Sequence, residues 1–136
     1  MTIKTGIDIS KISRFFRKGY KPDDPLVKRA FTAGEREKAS ELKTEAAFRS
    51  YYATRFAGKE AVFKAISEAL AEAAKRSGSF PGFIPADIEI LGGALERPVV
   101  KLHGKTAEAL STIDIQIDVS LSNEDDYAVA SAIALY

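Results

Sequence analysis

Asp8 and Glu60 are the two acids whose surroundings ask for chemistry. Glu60 lies inside Arg55-Phe56-Ala57-Gly58-Lys59-Glu60-Ala61-Val62-Phe63-Lys64, a run with helical spacing. At roughly 100° per residue it falls about 40° from Phe56 and about 60° from Phe63, on the edge of an apolar stripe. A carboxylate there must be paired, hold a cation or carry a proton. The local pair is with Lys64, four residues on, and such pairs contribute only about 0.2–0.5 kcal/mol. Asp8 stands in Gly6-Ile7-Asp8-Ile9, near the end of an alternating strand. It either heads the helix that follows, where the dipole favours an acid, or looks into a site beside Gly6, which admits a close neighbour. Two acids from different elements meeting at one point would suit Mg²⁺, which takes its other ligands from water and substrate phosphates. Arg55, Lys59 and Lys64 would then hold phosphate, or else pair with Glu60 and Glu68.

Other residues invite weaker readings. Lys11, Arg14, Arg17 and Lys18 cluster after the strand, and on a helix Arg14 and Lys18 would share a face. Such a face docks an acidic partner or is simply solvated. His103 is the one imidazole; at a strand end, without a recognisable partner, it reads as a surface residue rather than a base. Ser122-Asn123-Glu124-Asp125-Asp126 reads first as turn chemistry. Phe80 and Phe83 would form a lid, an interface or a tucked-in loop.

Composition removes whole classes. The chain has 136 residues, with no Cys and one His. Thiolate metal sites, thiol nucleophiles and His-cluster zinc sites are excluded, and a Ser-His-Asp triad has little to stand on. Twenty basic against nineteen acidic residues leave a net charge of +1, unlike the basic excess of nucleic-acid binders. No apolar run reaches the length of a membrane span. Met1-Thr2-Ile3-Lys4 enters a strand pattern at once, with no room for a signal peptide, so a cytoplasmic protein is expected. The length suits a single domain over 1–136.

The elements that must position these residues follow from periodicity. Ile3, Ile7 and Ile9 alternate with Lys4, Gly6 and Asp8, predicting a strand that buries its isoleucines. Ser10 would cap a short helix carrying Ile12, Phe15 and Phe16, ended by Gly19. Lys21-Pro22-Asp23-Asp24-Pro25 reads as a loop, and Thr32-Ala33-Gly34-Glu35 as a capping box opening a polar helix. A long helix from about Glu45 to Lys75 carries Tyr52, Phe56, Phe63, Ile66 and Leu70 on one stripe. Ile88 and Ile90 predict a strand, turned by Gly92-Gly93 into a partner over Pro98 to Leu102, then a short helix from Lys105 to Ser111. Ile113 to Leu121 and Tyr127 to Leu135 alternate as two more strands, the last with an all-Ala face that something packs very closely, the long helix being the natural candidate. The order β-α-α-α-β-β-α-β-β, with short turns, gives an α+β fold: about five mainly antiparallel strands on one long helix and shorter helices.

These same residues carry a resemblance. Gly6-Ile7-Asp8-Ile9, followed by Ile12 and Arg14, resembles the opening of the bacterial holo-[acyl-carrier-protein] synthases, the small trimeric class of 4′-phosphopantetheinyl transferases. Phe31-Thr32 with Glu35, the run from Arg55 to Ala65, and Leu121-Ser122-Asn123-Glu124-Asp125-Asp126-Tyr127-Ala128-Val129-Ala130 are similar to its later landmarks, in the same order. The resemblance implies transfer of 4′-phosphopantetheine from coenzyme A to a serine of apo acyl carrier protein, releasing adenosine 3′,5′-bisphosphate, within lipid metabolism. It implies Asp8 and Glu60 as Mg²⁺ ligands and catalytic residues, with Glu60 or a metal-bound water taking the serine proton. It implies coenzyme A contacts from Lys64, Arg55, Arg97, Pro98, Ser122 and Asn123, and carrier docking by Arg14 and Lys18. It also implies a homotrimer with each active site between two subunits.

The chain departs from that family in three places. Asn123 stands where His is usual, so the side chain there cannot become cationic. Ile66-Ser67-Glu68-Ala69-Leu70 continues as helix where a Gly-Thr-Gly turn is common. Gly58 replaces Ala, at a cost of about 1 kcal/mol that a buried helix tolerates, and leaves room for a neighbouring subunit. The alternatives are a different Mg²⁺-dependent phosphoryl-transfer or pyrophosphate-cleaving enzyme, and a non-catalytic carrier-protein or nucleotide-binding module on the same fold.

Overall fold

The computed structural model describes residues 1–21, 23–92 and 96–136. Its spine is α3, Glu45–Ser77. Thr44 caps the helix by accepting from Ala47 N at 3.1 Å, with Glu45 in the first turn and Lys75 and Arg76 in the last. Gly78, at φ +75°, ends it in the left-handed conformation that glycine takes without strain. The other elements are β1 (Ile3–Lys11), α1 (Pro25–Ala30), α2 (Ala33–Ser40), β2 (Ile88–Leu91), β3 (Val99–Leu102), α4 (Gly104–Ala109), β4 (Gln116–Glu124) and β5 (Tyr127–Leu135). The architecture is α+β and every strand pair is antiparallel. The five strands divide into a three-stranded sheet, β1-β5-β4, and a separate β2-β3 pair.

α3 lies on the three-stranded sheet through small residues. Ala128, Ala130, Ala132 and Ala134 of β5 are buried, as are Ala53, Ala57, Ala61 and Ala65 of α3. The all-Ala strand face is thus met by the long helix, as expected. Gly6 carries the closest approach: a Cβ there would lie 1.9 Å from Ala61 O. Gly58 makes room within the chain, because a Cβ on it would come 2.6 Å from Ile90 and 2.8 Å from Leu121. The room expected for a neighbouring subunit is filled by the chain itself.

Four expectations are corrected. The isoleucines of β1 are not buried: Ile3, Ile7 and Ile9 are 57 %, 67 % and 63 % exposed, while Gly6 is buried. Only small side chains let the helix approach, so the large ones turn to the opposite face, which they share with Val129, Ile133 and Leu135. The helix expected after Ser10 is a single 3-10 turn, Ile12–Arg14, and Ser10 still belongs to β1. Phe16 then has φ +57°, so Arg14 and Lys18 share no helical face. Pro25, assigned to a loop, is the first residue of α1, with Asp24 accepting from Leu26 N at 2.8 Å. Ser122 and Asn123 are strand residues, and the turn is confined to Asp125-Asp126, where Asp125 has φ +50°. Pro22 of the predicted loop and Gly93 of the predicted hairpin turn lie outside the described residues.

The capping box forms as read: Thr32 Oγ1 accepts from Glu35 N at 3.2 Å and Thr32 N donates to Glu35 Oε1 at 2.9 Å. No helix among the described residues is long and apolar enough to cross a membrane.

Candidate active site

α3 runs back along β1. Lys4 pairs with Glu68 at 2.6 Å, Gly6 abuts Ala61 and Ala65, and Asp8 receives Lys64. Lys64 Nζ donates to Ile7 O at 2.8 Å and to Asp8 Oδ1 at 3.3 Å. Glu60, one turn earlier on α3, meets the Asp8 carboxyl. Its own carboxyl is pushed up to about 7, first by burial and then by contact with Asp8 and its charge, against the pull of Lys64. Asp8 Oδ2 is buried and has no hydrogen-bond partner. The structure therefore brings Asp8, Glu60 and Lys64 together at one point.

That geometry fits a divalent cation. Two carboxylates converge, one of them carrying an orphaned buried oxygen, and a single half-exposed ammonium is present to balance them. All-oxygen donors select a hard ion such as Mg²⁺. No cluster of three or more His, Cys, Asp or Glu ligands occurs among the described residues. The protein would supply two ligands and leave the remaining positions to water and substrate oxygens.

Ser10 and Asn123 lie on the same sheet face, to one side of this point. Ser10 and Asn123 are both in register with Ala128, so they share the face that Asp8 occupies, one row further on. Ser10 Oγ is another buried atom without a partner. Its expected role as a helix cap hid it from the sequence reading. Ser122 points the other way, in register with Val129, so it does not join Asn123 on that face.

Arg97 and Pro98 lie elsewhere. They line a groove of about 520 Å³ with Val99, Gln116 and Leu135, and Arg97 pairs with Asp118. Asp118 is in register with Ile133, on the face away from α3, and β4 is the sheet edge opposite β1. Within one chain, Arg97 and Asp8 therefore occupy opposite faces and opposite edges of the three-stranded sheet.

The remaining cations divide by helix face. Lys59 precedes Glu60 by one residue, about 100° round the helix. It is fully buried and bonds Glu35 Oε1 at 2.7 Å, Pro85 O at 2.9 Å and Ile88 O at 2.6 Å. Burial drives its ammonium below the usual range and Glu35 holds it up. It is unavailable to phosphate, to Glu60 or to Glu68. Arg55 follows the same face: it donates to Gly92 O at 2.7 Å and stacks on Tyr51 at 4.0 Å. His103 bonds Glu89 at 3.1 Å, away from the carboxylate pair.

Arg14 stands exposed on the 3-10 turn, which is latched to the β4–β5 turn. Asp126 accepts from Ser13 N at 2.8 Å and Ser13 Oγ at 2.5 Å, and its carbonyl accepts from Ile12 N at 2.8 Å. In the sequence Asp126 reads first as turn chemistry, with a lesser chance of metal or partner contact. Its hold on Ser13 spans the chain, and spacing carries no signal for it.

A profile of the 4′-phosphopantetheinyl transferase superfamily matches residues 4–132. The chain belongs to that superfamily. Among curated relatives, a holo-[acyl-carrier-protein] synthase of Mycobacterium tuberculosis is 39 % identical over 131 residues, 96 % of this chain and 95 % of the relative. One of Geobacter sulfurreducens is 35 % identical, covering 96 % and 94 %. An ACPS–CoA complex of Chronobacterium ammoniagenes superposes with a TM-score of 0.77 at 26 % identity, covering 100 % of this chain and 98 % of that one. This transferase keeps the acid pair and Lys64 in one place, and carries its exposed cation Arg14 on the neighbouring turn.

Proposed function

We propose that this transferase moves 4′-phosphopantetheine from coenzyme A to a serine of an apo acyl carrier protein, in a Mg²⁺-dependent reaction in the cytoplasm. The observation that carries the reading is the Asp8–Glu60 pair with Lys64 against it. The related holo-[acyl-carrier-protein] synthases and the coenzyme A complex point to the substrates.

Asp8 and Glu60 would hold the cation, and Mg²⁺ supplies neutralisation of the charge that develops on the pyrophosphate. Lys64 keeps Asp8 oriented while its half-exposed ammonium meets a phosphate oxygen. The serine oxygen bonds to the phosphorus that bears pantetheine. The bond from that phosphorus to the bridging pyrophosphate oxygen breaks, and adenosine 3′,5′-bisphosphate leaves. The serine proton passes to Glu60 or to water. Asn123, on the same face, donates a hydrogen bond to the nucleotide side without adding charge. Arg14, with Lys18 nearby in sequence, meets the acidic carrier.

The same reading makes the molecule a homotrimer with shared sites. Ile3, Ile7, Ile9 and Tyr127 leave an apolar sheet face open, and contiguous patches of that kind mark interfaces. A coenzyme A that touches both Arg97–Pro98 and the acid pair would have to bridge two copies. Arg55 and Ser122, held away from the acid pair, would serve only from the rim or from a second copy.

Intact-mass analysis of apo carrier protein incubated with coenzyme A, Mg²⁺ and this protein tests the reading. A single phosphopantetheine addition is expected. An unmodified carrier, with the protein folded, would favour the non-catalytic binding module instead.

A further inference from the structure

Asp126 is an acid in a place that its charge does not recommend. It bonds the residue before Arg14, the cation that the proposed reaction needs for an acidic carrier, and its charge acts on both Lys11 and Arg14. Glu124 and Asp125 stand exposed in the same turn. A carboxylate beside a docking cation weakens the field that draws an acidic partner. Electrostatics alone would remove Asp126 from this corner, so its presence has another reason.

The geometry supplies one. Both carboxylate oxygens are engaged by a single residue: Oδ1 accepts from Ser13 N at 2.8 Å and Oδ2 from Ser13 Oγ at 2.5 Å. The Asp126 carbonyl accepts from Ile12 N at 2.8 Å. These three bonds fix the two residues that precede Arg14. The bond from Ser13 Oγ is also the main cause that holds the Asp126 carboxyl below its usual range, so the latch stays charged at neutral pH. On the far side of Arg14 the turn closes with Phe15 N donating to Ile12 O at 2.9 Å. Phe15 packs on Phe56 with centroids 5.6 Å apart, and Phe16 is buried against Tyr20 and Tyr52 at 5.0 Å and 5.7 Å. Phe16 has φ +57°, a conformation that a non-glycine residue keeps only where its surroundings impose it. Arg49 Nη2 donates to the Phe16 carbonyl at 3.3 Å. The backbone of Arg14 is therefore clamped on both sides, while its side chain stands in solvent. A cation on a fixed turn loses less freedom on docking than one on a loose turn.

We propose that Asp126 is a positioning residue for carrier recognition: its two-oxygen hold on Ser13 fixes the turn that presents Arg14 to the acidic carrier. The inference rests on the transferase reading and adds to it a residue that acts through another.

The sign of one substitution separates position from charge. An Asp126 that acted only through its charge would, on Asp126→Ala, relieve a repulsion and tighten carrier binding. An Asp126 that positions Arg14 would weaken it. Fluorescence anisotropy of labelled apo acyl carrier protein, titrated with this protein, reads binding without turnover. Asp126→Ala should raise the Kd about three- to tenfold. Asp126→Asn keeps an acceptor for Ser13 N and a donor for Ser13 Oγ, and should recover most of that loss. In an Arg14→Ala background Asp126→Ala should add nothing, because the latch acts through that cation. In transfer assays Asp126→Ala should raise the carrier KM and leave both the coenzyme A KM and kcat at saturating carrier unchanged. Tightened or unchanged binding by Asp126→Ala overturns the inference. So does an equal further loss in the Arg14→Ala background, or a raised coenzyme A KM, either of which would make the latch a general support of the fold. A wild-type protein that binds the carrier but never modifies it fails at the transferase reading, and the anisotropy series still decides the role of Asp126. One that neither binds nor modifies the carrier overturns both.

Discussion

Lys64 Nζ bonds Asp8 Oδ1 at 3.3 Å while Oδ2 of the same carboxyl, buried, has no partner. One side of Asp8 is thus held by protein and the other is kept for something else. The orphaned oxygen faces a helix whose nearest acid, Glu60, is pushed up to about 7 chiefly by burial. Two acids in that condition form a site short of positive charge.

The first prediction concerns pH. The Glu60 carboxyl is raised in the folded protein, so the fold binds a proton that the unfolded chain has released. Its contribution to stability is fully present below the unfolded value near 4.5 and is lost as pH rises to about 7. Other groups titrate as well, so the difference between wild type and Glu60→Gln is the quantity to follow. In chelator, the wild-type Tm should fall relative to Glu60→Gln between pH 4.5 and 7. Added Mg²⁺ should recover the loss in wild type only. A difference that is flat with pH would show that neither burial nor Asp8 burdens the Glu60 carboxyl.

A second prediction follows from Gly6. With Ala61 O 1.9 Å from where a Cβ would stand, Gly6→Ala must push β1 off α3. Overpacking of this kind costs about 1–3 kcal/mol. Because the same contact sets Asp8 against Glu60, Mn²⁺ affinity, read by electron paramagnetic resonance, should drop together with stability. A variant destabilised in urea with unchanged Mn²⁺ affinity would separate the two roles.

The buried Lys59–Glu35 pair is structural. Lys59→Met leaves Glu35 charged and unmatched in the interior, which costs about 3–5 kcal/mol. Combining it with Glu35→Gln should recover part of that loss in denaturant titrations. If Lys59→Met is no less stable than wild type, the network is not what fixes α3 against β2.

The exposed isoleucines offer a fourth test. Ile7→Glu should leave the monomer fold intact, since Ile7 is 67 % exposed in the single chain. Sedimentation should then show monomers where the wild type is trimeric, and transfer should fall with assembly. A wild-type protein that sediments as a monomer contradicts the shared-site reading.

Much of this was legible in the residues. The stripe-edge position of Glu60 and the alternation around Asp8 marked the two acids, and Thr32 with Glu35 marked the start of α2. Alternation shows that a strand has two faces, however, and not which one is covered. On β1 the larger residues looked like the buried set. The cue that decides the matter lies at the far end of the chain, in the alanines of β5, together with Gly6. The turn after β1 was read as helix because Phe15 and Phe16 imitate helical spacing, while their backbone follows the pull of Asp126 on Ser13. Lys59 was placed with its neighbours in sequence, whereas its partner Glu35 lies 24 residues earlier on another helix.

The central claim is that Asp8 and Glu60 together hold the cation through which phosphopantetheine transfer runs. The direct measurement is the intact mass of apo carrier protein after incubation with coenzyme A across a Mg²⁺ titration, for wild type, Asp8→Ala and Glu60→Ala side by side. The account predicts a Mg²⁺-dependent single addition by wild type and none by either folded variant at any Mg²⁺ concentration. Full modification by both variants, or modification by wild type that ignores a chelator, would contradict it.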